Sequence, residues 1–244
     1  MKREVVLVAL LMVASTVVAG SRPESSVAKD YVDVSETVEV QMPGIVNIEL
    51  SLGEVTITGW DENRVEVTGR VGEDITGVSV VTNTDETRVV VRLPDIQNMA
   101  NLMIDAILTI RVPRGSHVVA GGLGGKVTVS NISGSVDVST ATGDISVTGP
   151  VSSVAARSVG GRITIDGPVA DVEFESTMGD VFISELSGRA AGSTLDGDIT
   201  ISGPEIAELA MTTVTGTISV TGEPSPNALI RLVARLGGSV ELTV

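Results

Sequence analysis

From Gly125 onward the chain alternates apolar and polar residues in short bursts, and the bursts recur at a nearly constant interval. Each opens on a glycine: Gly125, Gly143, Gly161, Gly179, Gly197, Gly216 and Gly238, with successive spacings of 18, 18, 18, 18, 19 and 22 residues. Behind the first six stands the pattern x-β-x-β, where β is Val or Ile. In register, one column holds Val127, Ile145, Ile163, Val181, Ile199 and Ile218, and its neighbour holds Val129, Val147, Ile165, Ile183, Ile201 and Val220. Alternation with period two puts both columns on one face of a strand. Half a period later a second strand supplies Val136, Val154, Val172, Ala190 and Leu209, then Val138, Ala156, Phe174, Gly192 and Met211. Self-similarity at a fixed period marks a stacked repeat. The pattern predicts an all-β fold, a single-chain, β-helix-like β-solenoid with coils of about eighteen residues, expected to wind right-handed, in which like positions touch.

A single coil cannot offset the ordering entropy of its residues with four inward aliphatics, so the coils must be stabilised by their neighbours. The glycines belong at corners, where a positive φ or a close approach between coils excludes a β-carbon. Gly149-Pro150, Gly167-Pro168 and Gly203-Pro204 mark the opposite corner, where proline fixes the bend and ends the strand. Phe174 sits between Ala156 and Gly192, one coil to either side, which reads as volume compensation in a stack with about 4.8 Å between strands.

The N-terminal part is less regular. Alternating segments run through 38–40, 46–50, 55–57, 65–67, 78–80, 89–91 and 107–112, and Gly53-Glu54-Val55-Thr56-Ile57-Thr58-Gly59 repeats the later pattern. Residues 95–104 break the alternation and suit a loop or one short helix, while 226–236 fit both helical spacing and a last irregular coil, with a strand favoured. The expected organisation is a signal peptide at 1–19, a linker at 20–37, an irregular β part or cap at 38–118, and regular repeats at 119–244. An open end of such a stack is a sticky edge that needs a cover.

The signal reading rests on Lys2 and Arg3 followed by the apolar Val5–Ala19 stretch, with small residues before a cut at Gly20. That stretch is shorter than a membrane-spanning helix, so the mature chain is expected to have no stable membrane span and to be exported: periplasmic, cell-surface or extracellular. Four aromatic residues in the whole chain (Tyr31, Trp60, Phe174, Phe182) suit a narrow aliphatic interior better than a sandwich core. With no cysteine, disulfides and thiolate chemistry are excluded. A net charge of -15 repels phosphate backbones and argues against nucleic acid as a partner, and it favours solubility.

Candidate chemistry is sparse. His117 is the only histidine, which leaves a zinc site or serine triad without its parts, and a surface or turn position is expected for it. The run Gly121–Val129 resembles a glycine-rich calcium roll, but Lys126 stands where a carboxylate ligand is needed. No metal or cofactor is expected. Lys126, Asp144, Arg162, Asp180, Asp198 and Thr217 form a column whose alternating sign would let coils pair, except that Asp180 and Asp198 meet like to like. Such a step could hold a cation or half of a glycosidase carboxylate pair, although sugar-stacking aromatics do not accompany it. The outward face of the first strand carries Thr128, Ser130, Ser146, Thr148, Thr164, Thr200, Ser202, Ser219 and Thr221, with Ser184 in the same row and with Asp166 and Phe182 as interruptions. A hydroxyl array of this kind could order water or meet polysaccharide or ice.

The segment Gly53-Glu54-Val55-Thr56-Ile57-Thr58-Gly59-Trp60-Asp61, the Val112-Pro113-Arg114-Gly115 junction and the Gly-x-Val-x-Val coils together resemble the putative-adhesin domain of exported bacterial and archaeal proteins, a domain of unknown function. The resemblance covers the chain from about residue 38 onward and implies a β-solenoid and an envelope or extracellular setting, with no catalytic residues to carry over. The function expected is a non-enzymatic, adhesin-like or scaffold module that presents an extended β-face to a surface protein or glycan. The alternatives are a β-helix carbohydrate-active enzyme and a self-assembling structural unit of the cell envelope.

Overall fold

The computed structural model describes residues 31–40, 44–50, 52–93 and 104–243. The signal segment 1–19, linker residues 20–30 and residues 95–103 of the irregular stretch lie outside the described residues. No helix occurs among the described residues, and the strands build two long walls.

Wall one runs, in spatial order, through β1 (Tyr31–Glu39), β4 (Arg64–Gly72), β7 (Asp105–Pro113), β3 (Leu52–Trp60), β9 (Val127–Ser130), β11 (Ile145–Thr148), β13 (Ile163–Asp166), β15 (Val181–Ile183), the first parts of β17 (Ile199–Thr215) and β18 (Thr217–Ala234), and β19 (Ser239–Thr243). Wall two runs through β5 (Gly77–Thr82), β6 (Glu86–Arg92), β2 (Ile45–Glu49), β8 (His117–Gly124), β10 (Ser135–Thr142), β12 (Val151–Gly160), β14 (Val169–Met178), β16 (Leu186–Asp196) and the later parts of β17 and β18. Each regular coil is one short strand of wall one, a bend, one long strand of wall two, and a glycine corner.

The predicted stacking is realised residue for residue. Ile145 pairs with Val127 on one side and Ile163 on the other, and Val181, Ile199 and Ile218 continue the column. On wall two Val136, Val154, Val172, Ala190 and Leu209 align, as do Val138, Ala156, Phe174, Gly192 and Met211. These columns and the corner residues Val151, Val169 and Leu186 form one continuous aliphatic core. A β-carbon on Gly192 would lie 2.5 Å from Phe174 Cδ1, so the ring occupies the space the missing side chain leaves.

The glycine corner needs glycine on two counts. Gly143 has φ +136°, and a β-carbon there would sit 1.8 Å from the carbonyl oxygen of Gly125. The same contact repeats up the stack, and it extends downward to Gly53, whose carbonyl oxygen lies 1.6 Å from the β-carbon position of Gly125.

That last contact shows an order of coils that differs from the order of the chain. Val55 and Ile57 pair with Val127 and Val129, so β2 and β3 form the coil directly beneath β8 and β9. The intervening chain passes to the far side: β6 pairs with β2, and β7 pairs with β3. β4 then adds antiparallel to β7, and β1 adds antiparallel to β4. Strand β1 begins at Tyr31, so residues 31–37 belong to the folded wall and the expected linker stops short of them. They are held by a full antiparallel register from Tyr31–Gly72 to Glu39–Arg64, and the Tyr31 hydroxyl donates to Asp105 Oδ2 at 2.6 Å. That hydrogen bond, with burial and the carboxylate charge adding to it, pushes the Tyr31 phenol above its ordinary pKa.

At the other end the stretch 226–236 is extended through Ala234, with Ile230 on Leu209 and Leu232 on Met211. Extended backbone wins over helix here because these pairings continue two interior columns. The expected cover over this end is not found among the described residues. Val240 and Leu242 continue the columns of Ile218 and Val220, yet they are 44% and 47% exposed where their predecessors are 0% and 1%. The N-terminal end of wall one differs: Val65 and Val67 are buried, and Asp33, Glu36 and Glu39 place charge along β1.

Candidate functional site

The outward face of wall one is the hydroxyl array. One column runs Thr109, Thr56, Thr128, Ser146, Thr164, Phe182, Thr200, Ser219, Glu241. Its neighbour runs Arg111, Thr58, Ser130, Thr148, Asp166, and, after Ser184, Ser202, Thr221 and Thr243. All nine hydroxyl residues singled out from the sequence therefore share one surface. Thr56, Thr58 and Thr109 extend it, and sequence reasoning missed them. The Gly53-led motif carried the signal for Thr56 and Thr58, whereas Thr109 joins only because β7 turns back beneath β3.

Within the array the hydroxyls divide into two kinds. Thr58 Oγ1 and Ser130 Oγ lie 3.1 Å apart, and Ser219 Oγ donates to Glu241 Oε2 at 3.4 Å. The side chains of Thr128, Ser146, Thr148, Thr164, Thr200, Ser202 and Thr221 have no partner among the described residues, so their hydrogen-bonding capacity faces outward.

The charged column beside the array works differently from the sequence expectation. One ion pair forms along it, Arg162 Nη2 to Asp180 Oδ2 at 3.8 Å. Its carboxylates mainly accept backbone N–H groups of the next coil: Asp144 Oδ1 from Arg162 at 2.9 Å, Asp180 Oδ1 from Asp198 at 3.1 Å, and Asp198 Oδ1 from Thr217 at 2.7 Å. The like-charged step is thus a corner cap, in which a carboxylate satisfies a donor that the bend takes out of the ladder. Replacing Asp198 by Ala is expected to cost about 1–2 kcal/mol in chemical denaturation, and Asp198→Asn, which keeps an acceptor oxygen, less than half of that.

The array is not flat throughout. Around Phe182 it dips into an open depression of about 390 Å³, bordered by Arg162, Thr164 and Asp166 below and by Ser184, Thr200 and Ser202 above. The Phe182 ring is 36% exposed, and the Arg162 guanidinium lies 5.3 Å from its centroid. The Ser184 hydroxyl donates to Asp166 Oδ1. An aromatic does therefore stand beside the acidic step, at Phe182, one of the two interruptions of the hydroxyl pattern.

Wall two presents a different surface. Arg157 pairs with Asp137 at 3.3 Å, and Arg189 grips Asp171 through Nε at 3.0 Å and Nη2 at 2.7 Å. The bond to Asp171 holds the Arg189 guanidinium above its ordinary pKa. His117 opens β8 on this wall, where its Nδ1 bonds the Ser135 hydroxyl of the next coil.

Among solved structures the chain is similar to a putative adhesin from Bacteroides fragilis NCTC 9343, with 14% identity over 86% of this chain and 97% of that one and a TM-score of 0.62. It is also similar to a putative lipid binding protein from Parabacteroides distasonis ATCC 8503, with 11% identity over 87% and 97% and a TM-score of 0.50. At these identities the likeness is one of fold. No curated protein matches the chain. The coil at Gly53 and the glycine-cornered coils from Gly125 to Gly216 fall within residues 33–230, which match the model described as Toastrack DUF4097, and the chain belongs to that family.

Proposed function

We propose that this protein is a non-enzymatic, exported adhesin-like or scaffold module that presents the outer face of wall one to a partner at a cell surface. The observation that carries the reading is the run of outward hydroxyls without protein partners, held in register across successive coils by the rigid stack beneath. Rigid, extended repeat surfaces of this kind suit binding of elongated partners. The name of the Bacteroides fragilis structure of this fold, a putative adhesin, supports the same direction. The carboxylates of Asp144, Asp180 and Asp198 are engaged as backbone caps, which speaks against a glycosidase pair in that column.

The test is retention of isolated cell-envelope material on the immobilised protein, compared between a wall-one variant, Thr128→Lys with Thr148→Lys, and a wall-two control, Ala155→Lys. Loss of retention for the first and persistence for the second is expected. Equal retention by both variants overturns the reading. The exposed Val240 and Leu242 favour a second reading, self-assembly through the end of the stack, which predicts concentration-dependent oligomers that Leu242→Asp abolishes.

A further inference from the structure

We infer that the depression around Phe182 is a subsite for a neutral pyranoside unit of a surface polysaccharide; this rests on the reading of wall one as the binding face. A pyranoside offers an apolar C–H face and a rim of hydroxyls, and the depression offers the counterpart of each. Phe182 is the one aromatic ring on the outer face of the regular coils, and it stands where every regular coil below and the next two above carry Thr or Ser. The polar groups of the depression converge on the Phe182 ring, which is 36% exposed. Thr164, Thr200 and Ser202 bring hydroxyls that donate or accept and have no partner among the described residues. Asp166 brings a carboxylate already held in place by the Ser184 hydroxyl, with further lone pairs to accept from a sugar hydroxyl. Arg162 brings donors fixed by its position over the ring and by its contact with Asp180.

Neutrality of the ligand follows from the charges. Asp166 lines the depression with the cation Arg162, Asp180 pairs with that same guanidinium, and the whole chain carries -15, so uronate or sialate polymers meet repulsion both locally and at long range. A volume of about 390 Å³ lies at the small end of ligand sites and suits one or two sugar units on a longer chain that continues along the hydroxyl columns.

The experiment is binding of the purified protein to immobilised neutral oligosaccharides built from hexose and N-acetylhexosamine, with a polyuronate as the anionic arm. Retention on a neutral oligosaccharide is expected, weakened about tenfold or more in Phe182→Ala, kept in Phe182→Tyr, and absent on the polyuronate. The Phe182→Ala chain should melt as the parent does, because the side chain is outward. Retention that survives Phe182→Ala overturns the inference, as does preference for the polyuronate. If no glycan binds but envelope material is still lost through the Thr128 and Thr148 variant, the subsite is refuted while the face reading stands; if that variant loses nothing, the face reading itself fails.

Discussion

Ile163→Asp is expected to abolish cooperative folding, while Thr164→Asp, one residue along, leaves the melting transition almost unmoved. Ile163 is fully buried between Ile145 and Val181, with its side chain in the interior column of wall one. The substitution removes roughly 1.5–3 kcal/mol of burial and leaves a carboxylate with no cation in an aliphatic channel, which costs several kcal/mol more. Domain stabilities of about 5–15 kcal/mol leave little after such a loss. The position makes it worse, because Ile163 lies mid-stack and each coil is stabilised by its neighbours, so the damage is not confined to one repeat. Thr164 faces water on the same strand, and an outward substitution there should stay within about 0.5 kcal/mol. Thermal unfolding followed by circular dichroism separates the two, and similar melting temperatures would contradict the assignment of faces.

The second large effect is at the glycine corner. Gly143→Ala should cost roughly 4 kcal/mol or more, at the exceptional end for one added methyl group. Its β-carbon has to occupy a point 1.8 Å from a backbone oxygen of the coil below, so two paired strands would have to separate. Gly149→Ala provides the graded comparison. Its φ of +96° disfavours alanine, but the nearest atom to the new carbon is 3.6 Å away, so the cost should be backbone strain alone, about 1–3 kcal/mol. Gly160→Ala meets no atom within 4 Å and should be neutral within about 0.5 kcal/mol. Urea denaturation of the three variants should return that order. A Gly143→Ala protein as stable as Gly160→Ala would mean that the coils are not in contact at this corner.

The regular coils were legible because two short-range signals coincide there. Period-two alternation says which side chains point inward, and the eighteen-residue recurrence of glycine says which strands are neighbours. Gly192 opposite Phe174 could be read the same way, since compensation between adjacent coils is written into adjacent repeats. In the N-terminal part the eighteen-residue recurrence is missing, although the Gly53-led segment repeats the pattern of a single coil. Gly53 and Gly125 are 72 residues apart, four repeat lengths, yet they touch, and residues 64–113 supply strands on the opposite side of the Gly53 coil. Alternation could mark Val55 and Ile57 as inward, but it carries no information on which strand lies beside them, because many parallel registers satisfy the same pattern of faces.

The candidate site divides along the same line. By itself the amino-acid sequence determined that the chain is a solenoid, which residues fill its interior, and that one outer row is rich in hydroxyls, because these follow from pattern and period within one coil and the next. Only the tertiary structure decided that Thr109, Thr56 and Thr128 share one column, that aspartates cap the corner N–H groups, and that Arg162 lies over Phe182 in a depression bordered by Thr200 and Ser202. Those outcomes depend on side-chain reach between coils and on the order in which distant strands stack, and neither is encoded in any local run of residues.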